Sequence, residues 1–148
     1  MKRIATSIEI AAAPSVVYTV LTNFSAYPQW SPFFEQVYGE AKVGSALEFV
    51  FGGTNGKRRT SRARLVELAP MRRVAWQGGL PFGLFSGVHS FDIVERAGGS
   101  LVHDVEAFAG VLAAFMLNER RLALQRQGFI AFDGALKKRC EALTEAAA

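Results

Sequence analysis

Few side chains in this sequence could carry chemistry, and the histidines come first. His89 lies in the run His89-Ser90-Phe91, where strand alternation puts it on one face with Phe91 and Ile93. An imidazole facing an apolar space serves as a general acid or base when its pKa stays near neutral. It serves equally as a satisfied structural histidine, and the residues leave both readings open. His103 precedes Asp104-Val105-Glu106, but alternate strand residues diverge, so His103 faces away from both acids and makes no local triad with them. Two histidines and the single Cys140 are too few for a zinc site of the usual His/Cys type, so no metal is expected. The glycine clusters lack the strand-to-helix context of G-x-G-x-x-G and the Walker lysine, so no nucleotide or redox cofactor is expected either.

A second group with chemical potential is the arm Lys57-Arg58-Arg59-Thr60-Ser61-Arg62-Ala63-Arg64. Alternation puts Arg58, Arg62 and Arg64 on one face and Arg59 on the other. That basic surface suits the phosphates of lipid headgroups, in a transient contact with a membrane surface. No aromatic residue is interleaved to stack on bases, which counts against nucleic acid as a partner. A solvated hairpin explains the same pattern.

The elements that must position these groups are organised around the last third of the chain. Phe115, Leu122, Phe129, Leu136 and Leu143 recur every seven residues, with Leu112, Met116, Phe132 and Cys140 beside them, as along one side of a helix. A helix over the whole of Val111–Leu143 would exceed the diameter of a small domain. Gly110, Gly128 and Gly134 weaken it, so the spacing predicts a helical turn or lid over Val111–Leu117 and a main helix from about Asn118, an acceptable N-cap, to about Thr144. Its apolar face needs a partner from the preceding residues. Those read as a strand (Arg3–Ile10), a helix opened by Ala13-Pro14-Ser15, a short helical turn (Ser25–Trp30) and six strands: Phe34–Glu40, Ser45–Phe51, Arg58–Leu68, Arg73–Gly78, Gly87–Glu95 and Ser100–Phe108. Short glycine- and proline-rich connections leave no room for crossover helices, so the strands are antiparallel neighbours. The fold class is α+β, in the order β-α-α-β6-α, with a curved antiparallel sheet closed by the C-terminal helix.

At 148 residues, half of them hydrophobic, the chain makes one domain over residues 1–148. Twelve phenylalanines against three tyrosines and two tryptophans point to a large core or an apolar cavity. Glu9 and Pro14 interrupt the apolar start, which argues against a secretory signal. The longest apolar run, Val111–Leu117, is too short to span a bilayer. A soluble cytoplasmic protein is therefore expected, and the lone cysteine fits a reducing compartment. The net charge of +4 makes a moderately basic surface.

Several segments carry a family resemblance. Ala13-Pro14-Ser15-Val16-Val17-Tyr18, Phe24-Ser25-Ala26-Tyr27-Pro28-Gln29-Trp30-Ser31-Pro32-Phe33, His89-Ser90-Phe91, Phe108-Ala109-Gly110 and Phe132-Asp133-Gly134-Ala135-Leu136-Lys137 resemble the START-like superfamily (SRPBCC). Within it they are most similar to the bacterial polyketide cyclase/dehydrase and lipid-transport group, related in fold to the birch-pollen allergen. The sequence departs from that pattern with Tyr18 where tryptophan is common and Asp133 where asparagine is common. The resemblance implies a helix-grip fold: the sheet wraps the last helix and leaves an elongated apolar cavity.

The expected cavity lining is Phe24, Trp30, Phe33, Leu47, Phe49, Phe51, Trp76, Phe91, Phe115, Leu122, Phe129 and Phe132. Phe82, from the apolar loop Gly78–Phe85, is expected to fold over the opening as a lid, although a loop plugging the end of the core fits as well. Three readings follow. The first is binding or transport of a hydrophobic small molecule such as a lipid, isoprenoid or polyketide-like compound. The second is a cofactor-independent cyclase or dehydrase using the same cavity with His89 as proton carrier. The third is a chaperone-binding-like interaction module engaging a protein through Leu80–Phe85 and the basic arm. The ligand, turnover and the choice between monomer and dimer stay open at this point.

Overall fold

A computed structural model describes residues 2–148. The chain runs β1 (Lys2–Ile10), α1 (Pro14–Thr22), a 3-10 segment (Phe24–Gln29), β2 (Phe34–Tyr38), β3 (Ala46–Phe51), β4 (Arg59–Ala69), β5 (Arg73–Leu80), β6 (Phe85–Arg96), β7 (Gly99–Ala109), α2 (Ala113–Met116) and α3 (Glu119–Ala147). Pro14 supplies the first turn of α1, where its missing N–H is not needed. Pro28 sits inside the 3-10 segment and stops it from lengthening.

The seven strands form one antiparallel sheet in the order β1-β7-β6-β5-β4-β3-β2. Six strands are joined as sequential hairpins, and β1 closes the sheet by pairing with β7, Ile4 opposite Glu106 and Thr6 opposite Asp104. Irregular register at Phe34/Gln36 and at Leu65/Glu67 bends the edge strands, as bulges do. Alternation sends Ile4, Thr6 and Ile10, Val74 and Trp76, and Phe91 and Ile93 to the concave side, where all are buried.

α3 begins late, as the glycines and the length argument predicted. Asn118 caps it, its side chain accepting from the Arg121 N–H at 2.9 Å. From there it runs 29 residues without interruption. The helical period, not a strict seven-residue repeat, decides what it buries: Phe132, Asp133, Leu136 and Cys140. Leu136 is fully buried and Leu143 is exposed. Phe115 belongs to α2, separated from α3 by the non-helical Leu117, so it falls out of phase and stands 84% exposed. α3 packs on β1 and α1 and stands off from the middle of the sheet. Among the described residues no helix is long and apolar enough to cross a membrane.

Candidate functional site

The space between α3 and the middle strands is a cavity of about 480 Å³, within the range usual for small-molecule sites. Phe33, Phe34, Phe49, Phe51, Trp76, Phe91, Phe129 and Phe132 wall it. Their rings pack in a connected series: Phe49 to Trp76 at 5.2 Å, Trp76 to Phe91 at 5.5 Å, and Phe91 to Phe132 at 5.7 Å. Gly128 of α3 also faces this space; a Cβ there would meet nothing closer than Phe33 Cζ at 3.9 Å. Arg59, over the Phe51 ring at 5.3 Å, and Arg62 line the cavity on the β4 side.

The other polar lining comes from the middle of the sheet. Antiparallel pairing of β6 and β7 sets His89 opposite Glu106 and Phe91 opposite Asp104, so all four share the concave face. The His89 imidazole stacks on Phe129 of α3, parallel to within 1° at 4.7 Å, and on Phe91 at 4.7 Å. Its Nε2 is 2.5 Å from Asp104 Oδ1. Asp133 reaches the same point from α3 and accepts from the Thr6 hydroxyl at 2.6 Å. Asp104 Oδ2 and Asp133 Oδ1 have no conventional protein donor. The two buried carboxyls are near enough that the charge on Asp104 raises Asp133, so ionising both at once is disfavoured.

Burial dominates the titration of this group. It pushes Asp104 up to about 7. It pushes Asp133 up to about 8, with further help from the nearby Asp104 charge. Glu106 is raised by burial, an effect the His89 charge partly offsets. Burial holds the His89 imidazole below its ordinary range, against the pull of Glu106. His89, Asp104 and Glu106 thus line one side of an apolar space, with Asp133 close to Asp104, and burial disfavours the charged form of each. Such an arrangement can accept or donate a proton to a bound molecule, or hydrogen-bond its polar end. Among the described residues no group of three or more His, Cys, Asp or Glu is arranged to hold a metal ion.

Of the residues expected from the sequence to line the cavity, Phe33, Phe49, Phe51, Trp76, Phe91, Phe129 and Phe132 converge on it, and His89 points inward. The others do not. Phe24 is sealed in the core against Tyr27 and Trp76, and Trp30 packs on Tyr27 and Phe132 behind the cavity wall. Leu47 is buried at the start of β3, beside the Gly39 turn. Leu122 packs in a separate small cluster with Ile4, Phe108 and Leu117. Phe115 and Phe82 face solvent, Phe82 at 96% exposure. The lid reading fails because β5 and β6 extend to Leu80 and Phe85, leaving only a tight turn between them. On the basic arm Arg58 is paired with Glu35 at 2.6 Å, and Arg64 donates to the Gly44 carbonyl at 2.6 Å. Arg62, expected with Arg58 and Arg64 on one basic face, lines the cavity and makes an exposed, long ion pair with Glu48 at 3.9 Å.

Asp104, Glu106 and Asp133 were not among the residues expected at the site. A signal existed: the Ala97-Gly98-Gly99 turn fixes the β6–β7 register, and that register puts two acids on the inward face next to His89.

A curved antiparallel sheet gripping a C-terminal helix over an apolar cavity defines a START-like helix-grip domain. The fold is shared with a START superfamily protein from Mycobacterium smegmatis (TM-score 0.76, 18% identity, 95% of this chain and 98% of that one). It is shared with the Aha1 dimer from Colwellia psychrerythraea (0.72, 24%, 95% and 97%). It also matches the di-domain ARO/CYC StfQ from the steffimycin biosynthetic pathway (0.74, 18%), covering 97% of this chain and 51% of that one. A search of curated proteins gave no match. The family model described as polyketide cyclase/dehydrase and lipid transport matches residues 1–143, and the chain belongs to that family.

Proposed function

We propose that this protein binds a hydrophobic small molecule between the sheet and α3, with the apolar body of the ligand against the aromatic wall and a polar end at His89. The observation that carries this reading is the cavity itself: about 480 Å³ walled by phenylalanine and tryptophan, with His89, Asp104 and Glu106 among its polar lining. Native mass spectrometry of the purified protein, followed by organic extraction and titration with a fluorescent apolar probe, tests it. Gly128→Phe fills the space from α3, where the nearest obstacle is the Phe33 ring edge. Probe binding by the wild type that is lost in a folded Gly128→Phe protein supports the reading. A wild type that ignores the probe and a panel of fatty acids and isoprenoids overturns it.

A second reading is favoured by the 2.5 Å His89–Asp104 bond and the carboxyl pair behind it. This reading is a cofactor-independent enzyme of the cyclase or dehydrase type, in which His89 carries protons to and from the bound molecule and Asp104 orients it. Once a ligand is identified, His89→Gln separates the two: binding kept with turnover lost supports the enzyme, and unchanged product formation ends it.

A further inference from the structure

We propose that the cavity-mouth end of the domain docks on an anionic lipid bilayer. Strand directions bring several features to that one end. The turns after β3 and β5, the segment following β7, the start of β1 and the start of α3 all lie there. Phe33, Phe34, Phe51 and Arg59, from the ends of β2, β3 and β4 on that side, line the cavity. The cavity therefore opens at this end.

Two apolar fingers project from it. The first is the Pro81–Leu84 turn, closed by the Leu84 N–H to the Pro81 carbonyl at 3.3 Å. Phe82 (φ 60°) and Gly83 (φ 68°) are both left-handed there. A bulky side chain adopts that conformation only at a cost, and asparagine or glycine is the favoured occupant of such a turn. Phe82 nevertheless sits there, fully in solvent. The second finger is Val111–Met116, with Val111 68% and Phe115 84% exposed. The Leu112 N–H donates to the Leu84 carbonyl at 2.9 Å, so the two fingers are tied side by side. A large apolar surface left open at the tips of rigid loops marks an interaction site.

Charge selects the occupant. Lys57, Arg58 and Arg59 lie after β3, Lys2 at the start of β1, and Arg120 and Arg121 in the first turn of α3. The exposed carboxylates among them are Glu35, already bonded to Arg58, and Glu119. Protruding aromatics ringed by cations fit the headgroup boundary of an anionic membrane, where apolar burial and attraction to lipid phosphates add. In combination with the cavity reading, docking there would set the mouth against the bilayer, the source of an apolar ligand.

Sedimentation with vesicles of phosphatidylcholine alone, and with equimolar phosphatidylcholine and phosphatidylglycerol, tests the proposal. The wild type is expected to bind the second kind and not the first, and to be released by salt. Each cation removed, as in Lys57→Gln or Arg120→Gln, is expected to weaken binding about fivefold. Phe82→Asn with Phe115→Asn is expected to weaken it about tenfold or more, with thermal stability equal to or above that of the wild type because Asn suits the turn. Failure of the wild type to bind anionic vesicles, or equal binding by the double variant, overturns the proposal. A double variant that changes the monomer–dimer balance without changing vesicle binding also overturns it, in favour of a protein contact. Gly128→Phe, which blocks the cavity, is expected to bind vesicles normally, so failure of docking and failure of the cavity reading are told apart.

Discussion

Replacing Asp133 by asparagine should stabilise the protein above neutral pH. In the wild type, Asp104 and Asp133 hold protons up to about 7 and about 8, while both carboxyls of the unfolded chain ionise near 3.8. A carboxyl whose folded pKa is raised contributes no penalty below the unfolded value, and stability then falls as pH rises toward the folded one. His89 acts in the opposite sense. Held neutral by burial, it costs stability as pH drops below its ordinary 6.5. The two trends oppose each other between pH 4 and 6.5, so the clean window lies above. From pH 6.5 to about 8 the folded pair holds about one proton that the unfolded chain has lost. Stability should fall by about 1.4 kcal/mol per pH unit, roughly 2 kcal/mol across the window. For a domain of this size that is about 4–8 °C in melting temperature. In Asp133→Asn the amide oxygen can still accept from Thr6 and its NH₂ can donate to Asp104, and one of the two buried ionisable carboxyls is gone. The variant should lose most of the slope and exceed the wild type at pH 8.5. Urea denaturation at pH 6.5, 7.5 and 8.5 measures this directly. A variant with the wild-type slope, or one less stable at pH 8.5, would refute the reasoning that burial of the two carboxyls sets this pH dependence.

Three further outcomes follow from the packing. Burial pushes the Cys140 thiol up to about 12, so it should resist thiol reagents at pH 8 until the protein unfolds; rapid labelling of the native state would contradict its placement. Leu136→Ala, at a fully buried site on the inner side of α3, should cost about 2–5 kcal/mol in chemical denaturation, and a loss below 1 kcal/mol would mean the helix is not seated as described. Gly99→Ala would set a Cβ 2.1 Å from the Ile10 carbonyl oxygen. It should therefore destabilise by about 1–3 kcal/mol, whereas Gly134→Ala, which meets nothing within 4 Å, should stabilise the helix.

Much of the architecture was readable because alternation and helical spacing are local signals. The seven strands, the proline start of α1 and the Asn118 cap all follow from residues within a few positions of one another. The seven-residue stripe misled where chain phase is lost: Leu117, non-helical between α2 and α3, separates Phe115 from the helix that the spacing assigned it to. The polar site was harder still. Parity tells which face Asp104 takes, but its meeting with Asp133 depends on how α3 lies over β7, a distance of 29 residues in sequence. Asp133 itself was legible only as a departure from asparagine. Its significance appears when Thr6 and Asp104 are found beside it.

Gly128 gives the cavity a means of changing its capacity. In mid-helix it forgoes about 1 kcal/mol relative to alanine. Most other close-packed glycines here are fixed by neighbouring backbone; at Gly78, for instance, a Cβ would stand 2.9 Å from the Arg62 carbonyl oxygen. Gly128 has no such obstacle, so side chains of graded size could be placed there one substitution at a time, the smaller ones with no demand on the sheet. A chain built this way can drift from accommodating a bulky guest to a slender one without passing through a misfolded intermediate. Descendants of one such scaffold could therefore differ in what they hold while differing little in how they fold.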